Sequence, residues 1–352
     1  MASRLWVDKY RPASLEELDY HQQLKELLIR LSTADDIPHL LFYGPSGAGK
    51  KTRVLTLLTN IFGAGVSKVK CETKNFKAGS SNVEIKVLQS NYHIDMTPSD
   101  VFNKDRIVVQ QIIKEIGSSK NPDNRLFKVV VINQADHLTQ EAQAALRRTL
   151  EKSTVSTRLI LICNSLCRVI MPLRSRCLAI RVPAPEESII STILQDIANR
   201  ENVHLPAGLS KRIVDASKRN LRRGIMMFQT CYLSQGRLAD DTQIVLPDWE
   251  RHLREVVMNV LEEQSPTRLK IVRSKLYEVL SSCIPPTTII NTLTKEMLSK
   301  VDDELKYEIS RHAARYELQM QQGQKPIVHL EAFLARSMSL FKQHLNKLVA
   351  MM

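Results

Sequence analysis

No run in this sequence reaches the roughly 18 apolar residues that a membrane-spanning helix requires, and the opening Met1-Ala2-Ser3-Arg4-Leu5-Trp6 lacks the apolar core of a secretory signal. An intracellular protein without a membrane partner is expected. Cysteine is sparse and scattered, at Cys71, Cys163, Cys167, Cys177, Cys231 and Cys283. Cys163 and Cys167 are close, but no second pair stands at zinc-binding spacing and Cys163 ends a strand-like run. Buried or idle thiols and no metal centre are expected. Glycine is absent from Leu238 to Gln322, where leucines recur at helical spacing. With breaks at Pro266, at Pro285-Pro286 and at Gly323-Gln324-Lys325-Pro326, that stretch reads as an independent helical bundle or interaction module.

Acidic residues are in deficit. The chain of 352 residues, long enough for two or three domains, carries 50 Lys+Arg against 37 Asp+Glu, a formal charge of +13. From Val245 onward the balance is nearly even, 15 basic against 13 acidic, which leaves 35 against 24 before it. The excess belongs to the earlier part of the chain and points to a polyanionic partner there.

What is present begins at Gly44-Pro45-Ser46-Gly47-Ala48-Gly49-Lys50-Lys51-Thr52. The apolar run His39 to Tyr43 reads as a buried strand and Arg53 to Leu58 opens a helix, so the glycines sit at a strand-to-helix turn. Glycine lets backbone N–H groups curl around phosphate oxygens, while the helix N-terminus and the Lys50 ammonium supply positive charge. The phosphate-loop pattern asks for Ser or Thr after that lysine, to hold Mg²⁺ through its hydroxyl; the residue here is Lys51. Thr52 comes one residue late and points about 100° round the helix from the required direction.

A second omission matches the first. Lys128-Val129-Val130-Val131-Ile132 reads as a buried strand, followed by Asn133-Gln134-Ala135-Asp136. In phosphate-loop ATPases an acidic residue at this strand end holds Mg²⁺ and a neighbouring carboxylate polarises the attacking water. Asn133 and Gln134 have the shape without the charge or the basicity. A positioned general base is worth about 10²- to 10⁴-fold in rate, so its loss alone is enough to silence hydrolysis. Asp136 falls too late in the pattern to replace it.

The remaining segments order themselves around that loop. A basic, aromatic arm, Leu5 to Pro12, precedes a helix over Gln22 to Ser32. Val66 to Cys71 and Val83 to Val87 read as strands with a polar turn, Lys77 to Ser81, between them. Asp105 to Ile116 is a helix with Asp105 near its cap and with Arg106 and Lys114 on its polar flank. Leu138 to Glu151 is another, capped by Thr139, whose Arg147 and Arg148 form a cationic edge suited to a nucleic-acid backbone. Arg158 to Asn164 and Leu178 to Val182 complete the strands. Strands alternating with helices predict a doubly wound parallel sheet with ligands at its C-terminal edge. Pro183-Ala184-Pro185 then leads into an all-helical stretch. The expected domains are an α/β nucleotide-binding domain over 1–182, a small helical domain over 183–236 and a helical domain over 237–352.

Six segments in this order, Trp6 to Pro12, the loop at Gly44, Asn133 to Asp136, Ala144 to Thr149, Ser175-Arg176-Cys177 and Asn220 to Arg223, resemble the AAA+ clamp loaders over essentially the whole chain. The similarity is greatest to the small subunits of eukaryotic replication factor C, and among them to the one whose own ATP site is degenerate. The resemblance implies a P-loop AAA+ domain, a helical lid and an all-α collar. It implies that Tyr10, Arg11 and Pro12 surround the adenine, and that Gly44, Gly47, Ala48, Gly49, Lys50, Lys51 and Thr52 form the phosphate loop. Asn164 would be the first sensor, Arg222 the second sensor reaching from the lid, and Arg176 an arginine finger inserted into the neighbouring subunit's site. The expected cofactor is ADP or ATP bound without hydrolysis, with Mg²⁺ weak or absent. The expected partners are the other subunits of a hetero-pentamer, the sliding clamp and primer–template DNA in the nucleus, with Arg106, Lys114, Arg147 and Arg148 on the DNA side. Two other readings compete: a self-sufficient ATPase with unusual catalytic residues, and a nucleic-acid-binding module whose loop is vestigial.

Overall fold

A computed structural model describes residues 5–34, 36–78, 81–118, 127–152, 157–323 and 325–351. The chain forms two compact units, Met1–Ile244 and Val245–Met352. The first holds seven strands: β1 (Leu40–Tyr43), β2 (Lys70–Ala78), β3 (Ser81–Gln89), β4 (His93–Met96), β5 (Lys128–Ile132), β6 (Thr157–Cys163) and β7 (Leu178–Arg181). They make one sheet in the order β2-β3-β4-β5-β6-β1-β7. From β4 to β7 all neighbours are parallel, while β2, β3 and β4 pair antiparallel.

The apolar runs form the sheet's centre because alternate residues of each strand feed two different cores. Val130 and Ile132 of β5, Leu159 and Leu161 of β6 and Leu41 of β1 face one core. Val129 and Val131, Ile160 and Ile162, Leu40 and Phe42 face the other. The first core is closed by α4 (Asp105–Ser118) through Val108, Val109 and Ile112, and by α5 (Gln140–Lys152) through Ala142, Leu146 and Leu150. The second is closed by α3 (Lys50–Phe62) through Val54, Leu57, Leu58 and Ile61, with Leu28 of α2 (Gln22–Thr33). Thr139 caps α5 as expected, its Oγ1 accepting from the Ala142 N–H at 3.2 Å. Asp105 does more than cap its own helix: its carboxylate also accepts from the Thr139 N–H at 2.7 Å and hydroxyl at 2.9 Å, tying α4 to the start of α5.

The expected strand over Val66 to Cys71 is not there. Ala64–Ser67 is a 3-10 turn, and β2 starts at Lys70. It is a hairpin arm joined to β3 by backbone pairing from Lys70↔Gln89 onward. Its residues from Lys70 to Thr73 are exposed and Phe76 is buried, so it shows no alternation to mark it. Of the expected turn over Lys77 to Ser81, Gly79 and Ser80 lie outside the described residues.

Three helices follow, α6 (Met171–Arg174) having preceded β7: α7 (Glu187–Arg200), α8 (Ala207–Ser217) and α9 (Leu221–Gln235). They bury Ile190, Leu194, Leu209, Ile213 and Phe228. The short helix α1 (Trp6–Lys9) packs on α9, where Trp6 stacks on Tyr232 with ring centroids 5.5 Å apart and lies 4.9 Å from Phe228. Its backbone N–H donates to Gln229 Oε1 at 3.0 Å. Residues 237–244 belong with these helices and not with the C-terminal ones: Asp240 Oδ1 accepts from the Gly208 N–H, and its carbonyl from Arg212. A short polar stretch reads as a linker by composition, yet its side chains and carbonyls satisfy the donors of α8.

The second unit is α10 (Asp248–Glu262), α11 (Pro266–Ser281), α12 (Pro286–Leu298), α13 (Asp303–Gln322) and α14 (Pro326–Met351) around one apolar core that includes Leu253, Leu276, Leu293 and Phe333. The prolines read as breaks are the first residues of α11, α12 and α14, where the missing N–H costs nothing. No helix among the described residues is long and apolar enough to cross a membrane.

Two histidines buried in the α/β core make stability depend on pH. His93, 2% exposed, contacts Ser90 Oγ through Nδ1 at 2.7 Å, and His39 Nδ1 accepts from the Leu159 N–H at 3.0 Å. Burial holds both imidazoles below their ordinary value of 6.5. Each is therefore neutral when folded, and the unfolded chain takes up the proton first. Their contribution is fully present above pH 6.5 and is lost as pH falls below it toward the folded values. The urea midpoint is expected to drop between about pH 7.5 and about pH 5.5, and to drop less in a His39→Asn/His93→Asn variant; parallel drops in the two proteins would refute the assignment.

Candidate functional site

The end of β1, the start of α3 and the ends of β5 and β6 meet at the C-terminal edge of the parallel strands. Gly44, Gly47 and Gly49 all have positive φ, 148°, 76° and 85°. At Gly47 the need for glycine is doubled, because a Cβ there would collide with the side chain of Asn220, the N-cap of α9 that accepts from the Arg223 N–H at 3.1 Å. The loop is thus shaped by its own glycines and closed by the cap of a helix about 170 residues further along the chain.

Lys50 lies back along this loop. Its Nζ donates to the Gly44 carbonyl at 2.7 Å, to the Pro45 carbonyl at 2.8 Å and to Asn164 Oδ1 at 2.9 Å. It is 7% exposed, and burial holds the ammonium below its ordinary value. Asn164, at the end of β6, is held by Asp136, whose Oδ2 accepts from the Asn164 and Ser165 N–H groups at 3.1 Å each. Asp136 therefore positions the strand end that carries Asn164.

Two cavities flank the loop. One, of about 120 Å³, is lined by Tyr10, Arg11 and Pro12 of the arm, by Thr52, and by Ile197 and Leu221. The other, of about 280 Å³, is lined by Lys50, Lys51, Asn133, Gln134, Asn164 and Thr97. Arg222 and Gly47 border both. Thr52 thus faces the side with the aromatic arm, not the side with the amides, as the helical rotation requires. The arm is latched to the end of α7: Lys9 Nζ and the Tyr10 hydroxyl both donate to Glu201 Oε1 at 2.7 Å, and Arg200 lies 5.8 Å from the Tyr10 ring. The hydrogen bond from Lys9 holds the Glu201 carboxyl below its usual range.

On the second side stands a carboxylate that composition and motif spacing do not single out. Asp95, the third residue of β4, is 5% exposed. Its Oδ2 pairs with Lys51 Nζ at 2.6 Å, and its Oδ1 accepts from Asn133 Nδ2 at 2.5 Å. Lys51 is therefore not a free ammonium facing phosphate. Gln134 occupies a left-handed backbone position, φ 50°, and accepts from Ser99 Oγ at 3.2 Å. The signal that marks Asp95 is an acid in a strand whose four residues are all buried, recognisable only once that strand is placed beside β5.

The remaining arginines lie elsewhere. Arg176, just after α6, donates to the Pro172 carbonyl at 2.9 Å and pairs with Glu151 at 2.8 Å while remaining 34% exposed. Arg147 pairs with the same Glu151 at 3.5 Å, Arg106 pairs with Glu141 at 3.3 Å, and Arg148 is exposed. The Lys114 side chain lies outside the described residues.

Comparison with known proteins places this geometry. The model described as "Replication factor C subunit 3, C-terminal domain" matches residues 249–345, and that of an "RCF1/5-like, AAA+ ATPase lid domain" matches residues 192–233. The model "DNA polymerase III, delta subunit" matches residues 20–186. Replication factor C subunit 5 of Oryza sativa subsp. japonica is 48% identical over 349 residues, covering 97% of this chain and 98% of the relative. Replication factor C subunit 3 of Homo sapiens is 45% identical over 346 residues, covering 97% of each. This chain belongs to the replication factor C subunits. A solved RuvB variant from Thermotoga maritima superposes with a TM-score of 0.50 at 15% identity over 76% of this chain and 85% of that one, a likeness of fold alone.

As a replication factor C subunit the chain has the AAA+ fold, with a nucleotide-binding α/β part, a helical lid and an all-α C-terminal region. Its loop and arm fit a nucleotide; its residues do not fit the Mg²⁺ that phosphate-loop ATPases hold. The hydroxyl position is Lys51, the strand-end positions are amides, and the carboxylate beside both, Asp95, is taken up by an ammonium and an amide. No cluster of three or more His, Cys, Asp or Glu able to hold a metal occurs among the described residues.

Proposed function

We propose that this replication factor C subunit grips a nucleotide without hydrolysing it and lends catalytic help to a neighbour. The observation that carries the reading is the split within one site. Lys50, the loop glycines, Asn164 and Arg222 are retained around the cavities, whereas the metal hydroxyl and both strand-end carboxylates are replaced by Lys51, Asn133 and Gln134. The bound species is ADP or ATP, with Mg²⁺ weak or absent. Arg176 is the arginine finger. A homo-oligomer would set every finger against a site that cannot cut, so the finger has a purpose only beside a different, competent subunit.

The assembly is a hetero-pentamer of replication factor C subunits that opens a sliding clamp and places it on primer–template DNA in the nucleus. The DNA backbone is assigned to Arg106, Lys114, Arg147 and Arg148; the ion pairs of Arg106 and Arg147 are exposed and each is worth at most about 1 kcal/mol, so phosphates can replace them. The helices from α10 onward form the collar, with the lid over 183–244 and the nucleotide domain over 1–182. A self-sufficient ATPase is disfavoured by three substitutions in one site.

Purified chain is expected to release nucleotide on denaturation and to turn over no ATP at any Mg²⁺ concentration. Mg²⁺-dependent turnover abolished by Lys50→Ala would overturn the reading, and purified chain free of nucleotide would favour a vestigial loop.

A further inference from the structure

The replaced residues of the phosphate side are not independent of one another. Lys51 is the second residue of α3 and Asn133 follows β5, yet both reach the same carboxylate: Asp95 Oδ2 holds the Lys51 ammonium at 2.6 Å and Asp95 Oδ1 holds the Asn133 amide at 2.5 Å. The convergence comes from the sheet. β4 and β5 are parallel neighbours with Asp95 opposite Val131 and Met96 opposite Ile132, and the Asn133 N–H continues the ladder to the Met96 carbonyl at 2.9 Å. Asn133 Nδ2 also reaches the Met96 carbonyl at 3.3 Å. Asp95 is 5% exposed, so its charge is compensated inside the protein and not by water.

In a phosphate-loop site a divalent cation links a hydroxyl after the lysine to a strand-end carboxylate, usually through water, and to the phosphates. Here a cation and a carboxylate of the chain itself occupy that region, already joined. We propose that the Lys51–Asp95 pair occupies and closes the position of the divalent cation, so that nucleotide affinity does not depend on Mg²⁺, and that Asp95 is a latent cation ligand blocked by Lys51. The inference rests on the reading of Gly44 to Thr52 as a nucleotide site. It goes further in assigning Asp95 a role and in treating the substitution at 51 as the one that closes the metal position. With a serine at 51 the ammonium is gone, a hydroxyl stands where the pattern requires it, and Asp95 keeps only its Asn133 partner. Two hard oxygen donors, phosphate oxygens and water then form the kind of set Mg²⁺ accepts.

The test is a fluorescence titration of nucleotide-stripped full-length chain with N-methylanthraniloyl-ADP, in EDTA and in excess Mg²⁺. For the unaltered chain the two dissociation constants are expected to agree within about twofold. Lys51→Ser is expected to bind about tenfold more tightly in Mg²⁺ than in EDTA, and Lys51→Ser/Asp95→Asn to lose that difference. Binding by the unaltered chain that requires Mg²⁺ overturns the inference and leaves the nucleotide reading standing; no binding in either buffer overturns both. A Lys51→Ser chain indifferent to Mg²⁺, or a double variant as responsive as the single one, overturns the role of Asp95. Circular dichroism checks folding, and Lys51→Thr supplies the hydroxyl a second way. The titrations of the unaltered chain need no substitution and decide the metal-independence by themselves.

Discussion

Reconstituted with its partner subunits, a chain carrying Arg176→Ala is expected to give a complex in which ATP turnover at the adjoining site falls by on the order of 10³-fold or more, the magnitude of arginine fingers acting in trans. The isolated chain is expected to be unaffected, in folding and in its lack of turnover. Arg176 is 34% exposed in the isolated chain, and its pairing with Glu151 at 2.8 Å is a partly solvated contact. Such pairs contribute about 0–1 kcal/mol, so leaving Glu151 for a partner's phosphates costs little. Rapid-quench measurement of the reconstituted complex should show one site's share of fast hydrolysis disappear. Equal turnover by the two complexes would remove Arg176 from its assigned place.

Lys50→Ala is expected to weaken nucleotide binding on the order of 100-fold, about 3 kcal/mol, as the loss of a buried hydrogen-bonded charge usually does. Two effects combine. The phosphates lose a cation, and the Gly44 and Pro45 carbonyls and Asn164 Oδ1 lose the donor that holds loop and strand end together. The folded protein should tolerate the change, because burial already disfavours the Lys50 ammonium and holds it below its ordinary value. Titration beside a thermal melt separates the effects. Affinity retained within about threefold, in a protein that melts normally, would show that the phosphates bind elsewhere.

The second prediction rests on a residue legible in the sequence, and the reason is local, whereas Arg176 is marked only by the resemblance of Ser175-Arg176-Cys177 to the clamp loaders. Gly44 to Thr52, the strand ending at Ile132 and the run ending at Asn164 are each recognisable within a dozen positions, since a buried parallel strand is a continuous apolar run and a phosphate loop needs its glycines and lysine at fixed spacing. The same logic fails for β2, whose polar residues are held by pairing with β3 and not by a buried face. It fails again at 237–244, where hydrogen bonds to α8 join a polar stretch to the helices before it.

The candidate site divides along the same line. Spacing identified Lys51, Asn133 and Gln134 as residues of the wrong chemistry for a metal. It gave no sign that Asp95 waits between two of them, that Glu201 receives both Lys9 and Tyr10, or that Glu151 holds Arg147 and Arg176. The sequence alone determined the apolar strands β1, β5 and β6, the long helices, the loop and the missing metal ligands, because those depend on residues a few positions apart. Only the tertiary structure decided how the replaced charges are compensated, because Lys51, Asp95 and Asn133 meet through the parallel register of β4 and β5 beside the start of α3, and no local pattern encodes which side chains that register brings within hydrogen-bonding distance.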